Sequence, residues 1–436
     1  MKMKTNKIIL ALSATALLSN MAFADDTADI AELKQQMAEL QANQEALVDE
    51  ASNAQVGFTT VDTDFSHNGM GAAASKIYHS KSPLSIGGYG EMYFASPDNG
   101  DNFADVYRFV PYIGYKFTDN IILNTEIEFE HGGAKDNGTG GYAIIEFMYL
   151  DFLMYQAFNV QVGHVLTPMG LLNLRHEPTL FNTVQRPNTE KYLIPSTWHT
   201  NGAVAYGSFG ETGVSYNAGI IQALDLNNDD AGKQKQIRSG RAGSDEKSTY
   251  NRAAFVGRLD YRGVTGLFVG ASLYYGDASQ GSVADATAFM YDLHATYEIA
   301  GFKAKALYTA TSIDGAEKIA TANAVAINAP DGASISDANG FYVNAEYDVL
   351  ATLSTTYKLP IFAQYDYINP TATVVDATNT EIATLDTKAE SATTTVGVNF
   401  FPHEQVVLKM DYAMTDYADA TVEDFNTVSA SLGFIF

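Results

Sequence analysis

The sequence predicts an all-β fold, a transmembrane antiparallel β-barrel of about 16 strands preceded by a short helix, and three observations carry that prediction. Residues 427–436 alternate strictly: Val428, Ala430, Leu432, Phe434 and Phe436 point one way, and Thr427, Ser429, Ser431 and Gly433 the other. This is a strand with one apolar and one polar face. The same alternation recurs from residue 84 onward in segments of roughly 9 to 11 residues, the length a tilted strand needs to cross a bilayer. Finally, tight connections at Thr118-Asp119-Asn120, Tyr155-Gln156-Ala157, Phe209-Gly210-Glu211, Gly263-Val264, Ala300 and Pro402-His403-Glu404 alternate with long Gly- and Asp-rich stretches. Short turns on one side and long loops on the other are the asymmetry of an outer-membrane barrel with both termini in the periplasm. The short side is irregular only at residues 350–358.

The elements follow in order. Lys2, Lys4 and Lys7, the apolar run Ile8 to Leu18 and the small-x-small site Ala22-Phe23-Ala24 make residues 1–24 a signal peptide. The net charge of −25 becomes more negative once those lysines are removed, which excludes nucleic acid as a partner. Zero cysteines exclude a disulfide scaffold and thiolate metal sites. Even the most apolar later run, Ile144 to Tyr155, carries Glu146 and Asp151, so any membrane crossing is made by strands. In residues 25–50, Ile30, Leu33, Met37, Leu40, Gln44 and Leu47 fall at spacings of three and four, the seam of a short coiled coil, or else a solvated amphipathic helix. Residues 51–82, rich in Ser, Asn, Gly, Ala and Thr, read as a linker, and residues 83–436 as the barrel.

Facing follows from the alternation. Ile121, Leu123, Ile127 and Phe129 oppose Asn124, Glu126, Glu128 and Glu130, and a charged face cannot meet lipid. A soluble β-sandwich also alternates. It has no use, however, for Tyr and Phe at strand ends, where Tyr107, Phe117, Tyr261, Tyr274, Tyr275, Tyr297 and Phe400 fall.

A barrel of this size leaves an aqueous channel unless something fills it. The filler read from the sequence is the segment 166–200, too rich in Leu, Phe, Tyr, Trp198 and Pro to be disordered. This segment and the three residues before it carry Gly163-His-Val-Leu-Thr-Pro-Met-Gly-Leu-Leu-Asn173, Arg175-His-Glu-Pro178, Phe181, Arg186-Pro187, Glu190, Ile194-Pro195 and Trp198. This run resembles the corresponding stretch of the phosphate-selective porin O and P family, and the rest of the chain resembles it more loosely. The resemblance implies a homotrimer of 16-stranded barrels whose third extracellular loop folds inward, passive diffusion of small anions such as phosphate, and a carboxy-terminal Phe436 presented to the barrel-assembly machinery.

Fixed charges in a narrow constriction choose the sign of the permeant ion. Candidates on the inserted loop are Arg175, Arg186 and Lys191, opposed by Glu177 and Glu190. Lumen-facing basic candidates are Arg108, Lys116, Arg252, Arg258, Arg262, Lys303, Lys305 and Lys409. A basic cluster, Lys233, Lys235, Arg238, Arg241, Lys247 and Arg252, is either an anion vestibule or a solvated loop touching lipopolysaccharide phosphates. Glu91, Glu126, Glu128, Glu130, Asp260, Asp292, Glu298, Glu346, Asp348, Asp366 and Asp411 rival the basic set on the lumen face, which sets this chain apart from a phosphate-selective pattern.

Two other classes compete: a closed structural or adhesive barrel, and an outer-membrane hydrolase built from His164, His176, His199, Ser196 and Asn201. The latter lacks a Gly-x-Ser-x-Gly elbow, and His176-Glu177 runs into Pro178 instead of a zinc motif. Asp225-Leu226-Asn227-Asn228-Asp229 lacks the Gly and Glu of a calcium loop. No cofactor and no metal are expected.

Overall fold

The computed structural model describes residues 35–40, 59–133, 141–241, 248–326 and 332–436. The signal peptide and most of the heptad segment lie outside these. Residues 35–40 are helical and exposed.

The strands are β1 (Leu84–Pro97), β2 (Phe103–Thr118), β3 (Ile121–Glu130), β4 (Ala143–Tyr155), β5 (Phe158–Leu166), β6 (His199–Ser208), β7 (Val214–Gln222), β8 (Ala253–Val264) and β9 (Leu267–Asp277). They continue with β10 (Thr287–Ile299), β11 (Phe302–Asp314), β12 (Ala333–Asp348), β13 (Pro360–Asp376), β14 (Glu381–Ile382), β15 (Ser391–His403), β16 (Val406–Tyr417) and β17 (Phe425–Ile435). Every pairing is antiparallel between neighbours, and β17 returns to β1 with Tyr89 opposite Ile435. Sixteen strands close the barrel, and the two-residue β14 hangs on β13 alone. At the seam Gly88 N–H donates to Phe436 O and Phe436 N–H to Gly88 O, both at 2.9 Å. Closure satisfies every edge, which a lipid environment demands and a sandwich does not achieve.

The alternation places side chains as expected. On β8, Ala254, Val256, Arg258 and Asp260 are buried while Phe255, Leu259 and Tyr261 are exposed to lipid. Of the aromatics read as interfacial, Tyr275 and Phe117 are exposed. Tyr274 is instead fully buried, its ring 5.2 Å from Trp198.

The stretch read as a linker departs most from expectation. Its second half folds into a helix, α1 (Ala72–His79), whose Ala72 to Ile77 are buried against inward-facing residues of the barrel. Asn124 Nδ2 donates to Ala74 O at 2.9 Å, Lys76 Nζ to Ile86 O at 2.8 Å, and Tyr78 Oη to Asp151 at 2.7 Å. Gly114 is required here: a Cβ would lie 2.6 Å from Ile77. The Ala-rich composition that suggests a linker is what lets a helix approach the wall closely.

Candidate pore constriction

Residues 167–198 connect β5 to β6 and fold into the barrel. Asn173 clasps the neck: its Nδ2 donates to Thr167 O (2.7 Å) and Trp198 O (2.9 Å), and its Oδ1 accepts from Trp198 N–H (2.6 Å). Met169, Leu171, Leu172, Leu193, Ile194 and Trp198 are buried, so the loop carries its own apolar core into the lumen.

The wall holds the loop by its backbone. Lys409 Nζ donates to Phe181 O (2.9 Å) and Thr183 O (3.1 Å), Lys305 Nζ to Leu180 O (3.1 Å), and Arg258 Nη1 to Gly170 O (2.6 Å). The acids take the amides: Asp411 accepts from Val184 N–H (2.6 Å), Asp292 from Gly170 N–H (3.1 Å), Asp366 from Asn188 and Thr189, and Glu346 from Asn182 Nδ2. Hydrogen bonds to charged groups contribute about 1.5–3 kcal/mol each. The rivalry of acids and bases on the lumen face therefore has a structural reason, since both signs are needed to clamp a polypeptide backbone.

The candidate residues sort accordingly. Glu177 Oε1 accepts from Ala73 N–H (3.0 Å) and Ala74 N–H (3.1 Å), capping α1, and does not project into open lumen. Glu190 accepts from Leu172 N–H and from Tyr342 Oη, both at 2.7 Å, and is fully buried; desolvation pushes its carboxyl up to about 7. Both are corrected from pore-lining acids to internal fastenings. Arg108 is likewise consumed, paired with Glu91 at 2.8 Å in a fully buried ion pair. Lys116 donates to Ser80 O at 2.6 Å, beneath α1. Arg262 stacks on Phe268 at 3.8 Å near the β8–β9 turn, and Lys303 pairs with Glu298 at 3.1 Å beside the β10–β11 turn. Arg252 lies at the opposite end, exposed, 3.8 Å from Asp277.

Arg175, Arg186 and Lys191 differ. Among the described residues none of the three has a side-chain hydrogen bond or ion pair; Nε and Nη2 of Arg186 are buried without partners, and Lys191 only approaches the Tyr192 ring at 5.4 Å. Glu177 and, against it, Arg258, Arg262 and Lys305 are within electrostatic reach of Arg175, while Arg238 and Lys235, opposed by Glu130, act on Lys191. The structure thus gathers two groups of cations, one around Arg175 and one around Lys191. Burial, then Arg238 and Lys235, pull the Lys191 ammonium down to about 8.

Of the basic cluster after β7, Arg238 and Arg241 turn inward, whereas Lys233 and Lys235 are exposed. Arg238 Nη1 donates to Lys191 O (2.8 Å) and Ser196 O (2.5 Å), and Arg241 Nη1 to Pro195 O (3.1 Å) and Thr197 O (2.7 Å). Lys247 lies outside the described residues. The hydrolase candidates do not form a nucleophile site: Ser196 Oγ has no partner, and His164 bonds His199 (2.8 Å) and Asn201 (2.9 Å). Residues missed from the sequence include Asn173, the neck clasp, and Glu146, described below. Only the Asn173 amide within an otherwise apolar run could have signalled its role.

The sequence profile of the family described as phosphate-selective porin O and P matches residues 89–436. The chain belongs to that family. An uncharacterized protein of Aquifex aeolicus is 31% identical over 362 residues, covering 82% of this chain and 81% of its own. Among solved structures, an anion-selective porin from Comamonas acidovorans superposes with a TM-score of 0.50 at 13% identity, over 81% of this chain and 99% of that one. The outer membrane channel DcaP of Acinetobacter baumannii gives 0.49 at 11% identity, over 81% and 97%. The likeness to the Comamonas structure shows the fold. This porin resides in the outer membrane of a Gram-negative cell, where its closed barrel and lipid-facing aromatics belong.

Proposed function

We propose that this porin is a passive diffusion channel for small hydrophilic anions, phosphate among them, with its constriction formed by residues 167–198. The observation that carries the reading is that Lys409, Lys305, Arg258, Asp411, Asp292 and Asp366 are spent on holding the loop, while among the described residues the side chains of Arg175, Arg186 and Lys191 make no hydrogen bond or ion pair. Fixed cations in a narrow, weakly screened passage attract anions whatever the protein's total charge. The Comamonas porin is described as anion-selective and the family as phosphate-selective, which point the same way.

The test is the reversal potential across planar bilayers under a salt gradient. The native protein should prefer anions, and the triple variant Arg175→Gln, Arg186→Gln, Lys191→Gln should lose most of that preference. An unchanged reversal potential would move selectivity to the cluster between Lys233 and Arg252. A native protein with no conductance would favour the closed adhesive barrel.

We further propose a homotrimer clamped in part by the heptad segment 25–50, with lipopolysaccharide at the outer rim and the assembly machinery reading Phe436. Gentle-detergent sedimentation of the full chain and of a variant lacking residues 25–50 separates a coiled-coil clamp from barrel contacts.

A further inference from the structure

Strict alternation would put Glu146 on the lipid face of β4, since Phe147, Tyr149 and Asp151 all point inward. It does not go there. The register of β3 and β4 passes from Glu126 opposite Phe147 to Ile127 opposite Ile145, leaving Glu146 as the extra residue of a β-bulge. The bulge turns Glu146 inward next to Phe147, and both are fully buried.

There Glu146 meets two groups. His176 Nε2 lies 3.1 Å from Glu126 Oε1 and 3.2 Å from Glu146 Oε2. The nearest ligand atoms of the three side chains lie within 4.8 Å of one another. His176 Nδ1 sits 3.0 Å from Asn173 O, so the imidazole donates its Nδ1 proton to that carbonyl and turns Nε2 towards the two carboxylates. This is how metal-bound histidines are oriented. Among the described residues Glu126 Oε2 and Glu146 Oε1 have no hydrogen-bond partner, and Glu146 Oε2 meets only His176 Nε2, although both carboxylates are fully buried. Unpartnered carboxylate oxygens and a lone pair converging in a dry interior repel one another unless a metal cation or a proton lies between them. Donor atoms on a tetrahedral zinc are separated by roughly 3.3 Å, given bonds of about 2.0 Å, and the two measured separations are close to that. An imidazole with two carboxylates selects a first-row transition ion over magnesium or calcium, which favour all-oxygen shells.

We propose that Glu126, Glu146 and His176 form a buried site for one divalent transition ion, which fastens the inserted loop to β3 and β4. The partner-free second oxygens of the two carboxylates complete its coordination. Because His176 follows Arg175 and precedes Glu177, the ion would set the position of a constriction cation and of the α1 cap together. The site does not depend on which solute the channel passes.

The test uses the full mature chain, refolded with zinc and then passed through metal-free buffer, with metal content read by mass spectrometry. Wild type should retain about one zinc per chain, as should the surface control His403→Gln, while Glu126→Gln/Glu146→Gln should fall to below about a tenth. Wild type refolded with zinc should also need a higher temperature for its electrophoretic shift than wild type refolded with EDTA, a comparison that needs no variant. Retention below about a tenth by wild type would overturn the site, leaving His176 as an imidazolium bridging the two acids. Equal retention by the double variant would place the zinc elsewhere. Identical shift temperatures would remove the fastening role.

Discussion

Glu177 Oε1 receives the N–H groups of both Ala73 and Ala74, so one carboxylate on the inserted loop caps the helix that packs inside the barrel from the other side of the chain. The loop and α1 are therefore seated together, and the four orphan donors of a helix start are partly satisfied by a charge that the helix dipole favours. Burial raises the Glu177 carboxyl and these two bonds oppose that rise.

Glu177→Ala should destabilise the seat of α1 by about 1–2 kcal/mol, in the range of a lost cap. Single-channel recordings should show more frequent conductance fluctuations, with the heat-modifiable barrel intact. A trace as quiet as wild type would mean that Tyr78, Lys76 and Asn124 hold the helix unaided.

Releasing the loop clamp should widen the pore. Lys409→Met removes the charged donor from Phe181 O and Thr183 O, and Asp411→Asn leaves Val184 N–H only a neutral acceptor, where hydrogen bonds to charged groups contribute about 1.5–3 kcal/mol each. Mean conductance should rise, and added trypsin should cut within residues 175–191. Protease resistance equal to wild type would place the anchoring in the apolar core around Trp198.

Gly170 has φ +70°, and a Cβ there would lie 2.6 Å from Glu190 Oε2. Gly170→Ala should therefore cost at least about 1 kcal/mol in loop docking, from left-handed strain plus the displaced carboxylate. Loop docking can be followed by the fluorescence of Trp198, the chain's single tryptophan. A red-shifted emission in the variant is expected.

Lys191 supplies a pH dependence. Its ammonium, lowered to about 8, is largely charged at neutral pH and discharged above that value, so anion preference should decline as pH rises through about 8. Arg175 and Arg186 stay charged, so part of the preference should survive. Lys191→Gln should flatten the profile. For stability the sign is opposite: the neutral amine is cheaper to bury, and docking should strengthen between that value and the ordinary 10.5.

Removing Phe434 to Phe436 should lower outer-membrane levels sharply. Phe436 exchanges both backbone bonds with Gly88 at the seam, and unpaired amides facing lipid cost several kcal/mol each. Normal levels of the truncated chain would count against this account of closure.

The barrel was legible because period-two alternation is a local property, written residue by residue, and lipid enforces it along most of every strand. The strand segments follow from it, while the short and long connections and the inserted loop were read separately, from turn residues and from the length and apolar content of residues 166–200. Glu146 marks where that logic breaks: a bulge is specified by the pairing of two strands, and in isolation β4 reads as an apolar run with a misplaced acid. The role of each charge was equally hidden. Lys409, Arg258 and Asp411 show only that they face the lumen; whether they face water or the backbone carbonyls and amides of residues 170–184 depends on where a loop far away in sequence comes to rest. The same holds for α1, whose small residues suit a linker or a tight helix, and only the smooth wall at Gly114 decides between them. What the sequence determined by itself is the direction each side chain takes from its strand, because that is set by the backbone's own repeat. What the tertiary structure decided is which of those side chains remain unpaired, because partners across the lumen are chosen by packing and desolvation that no local pattern records.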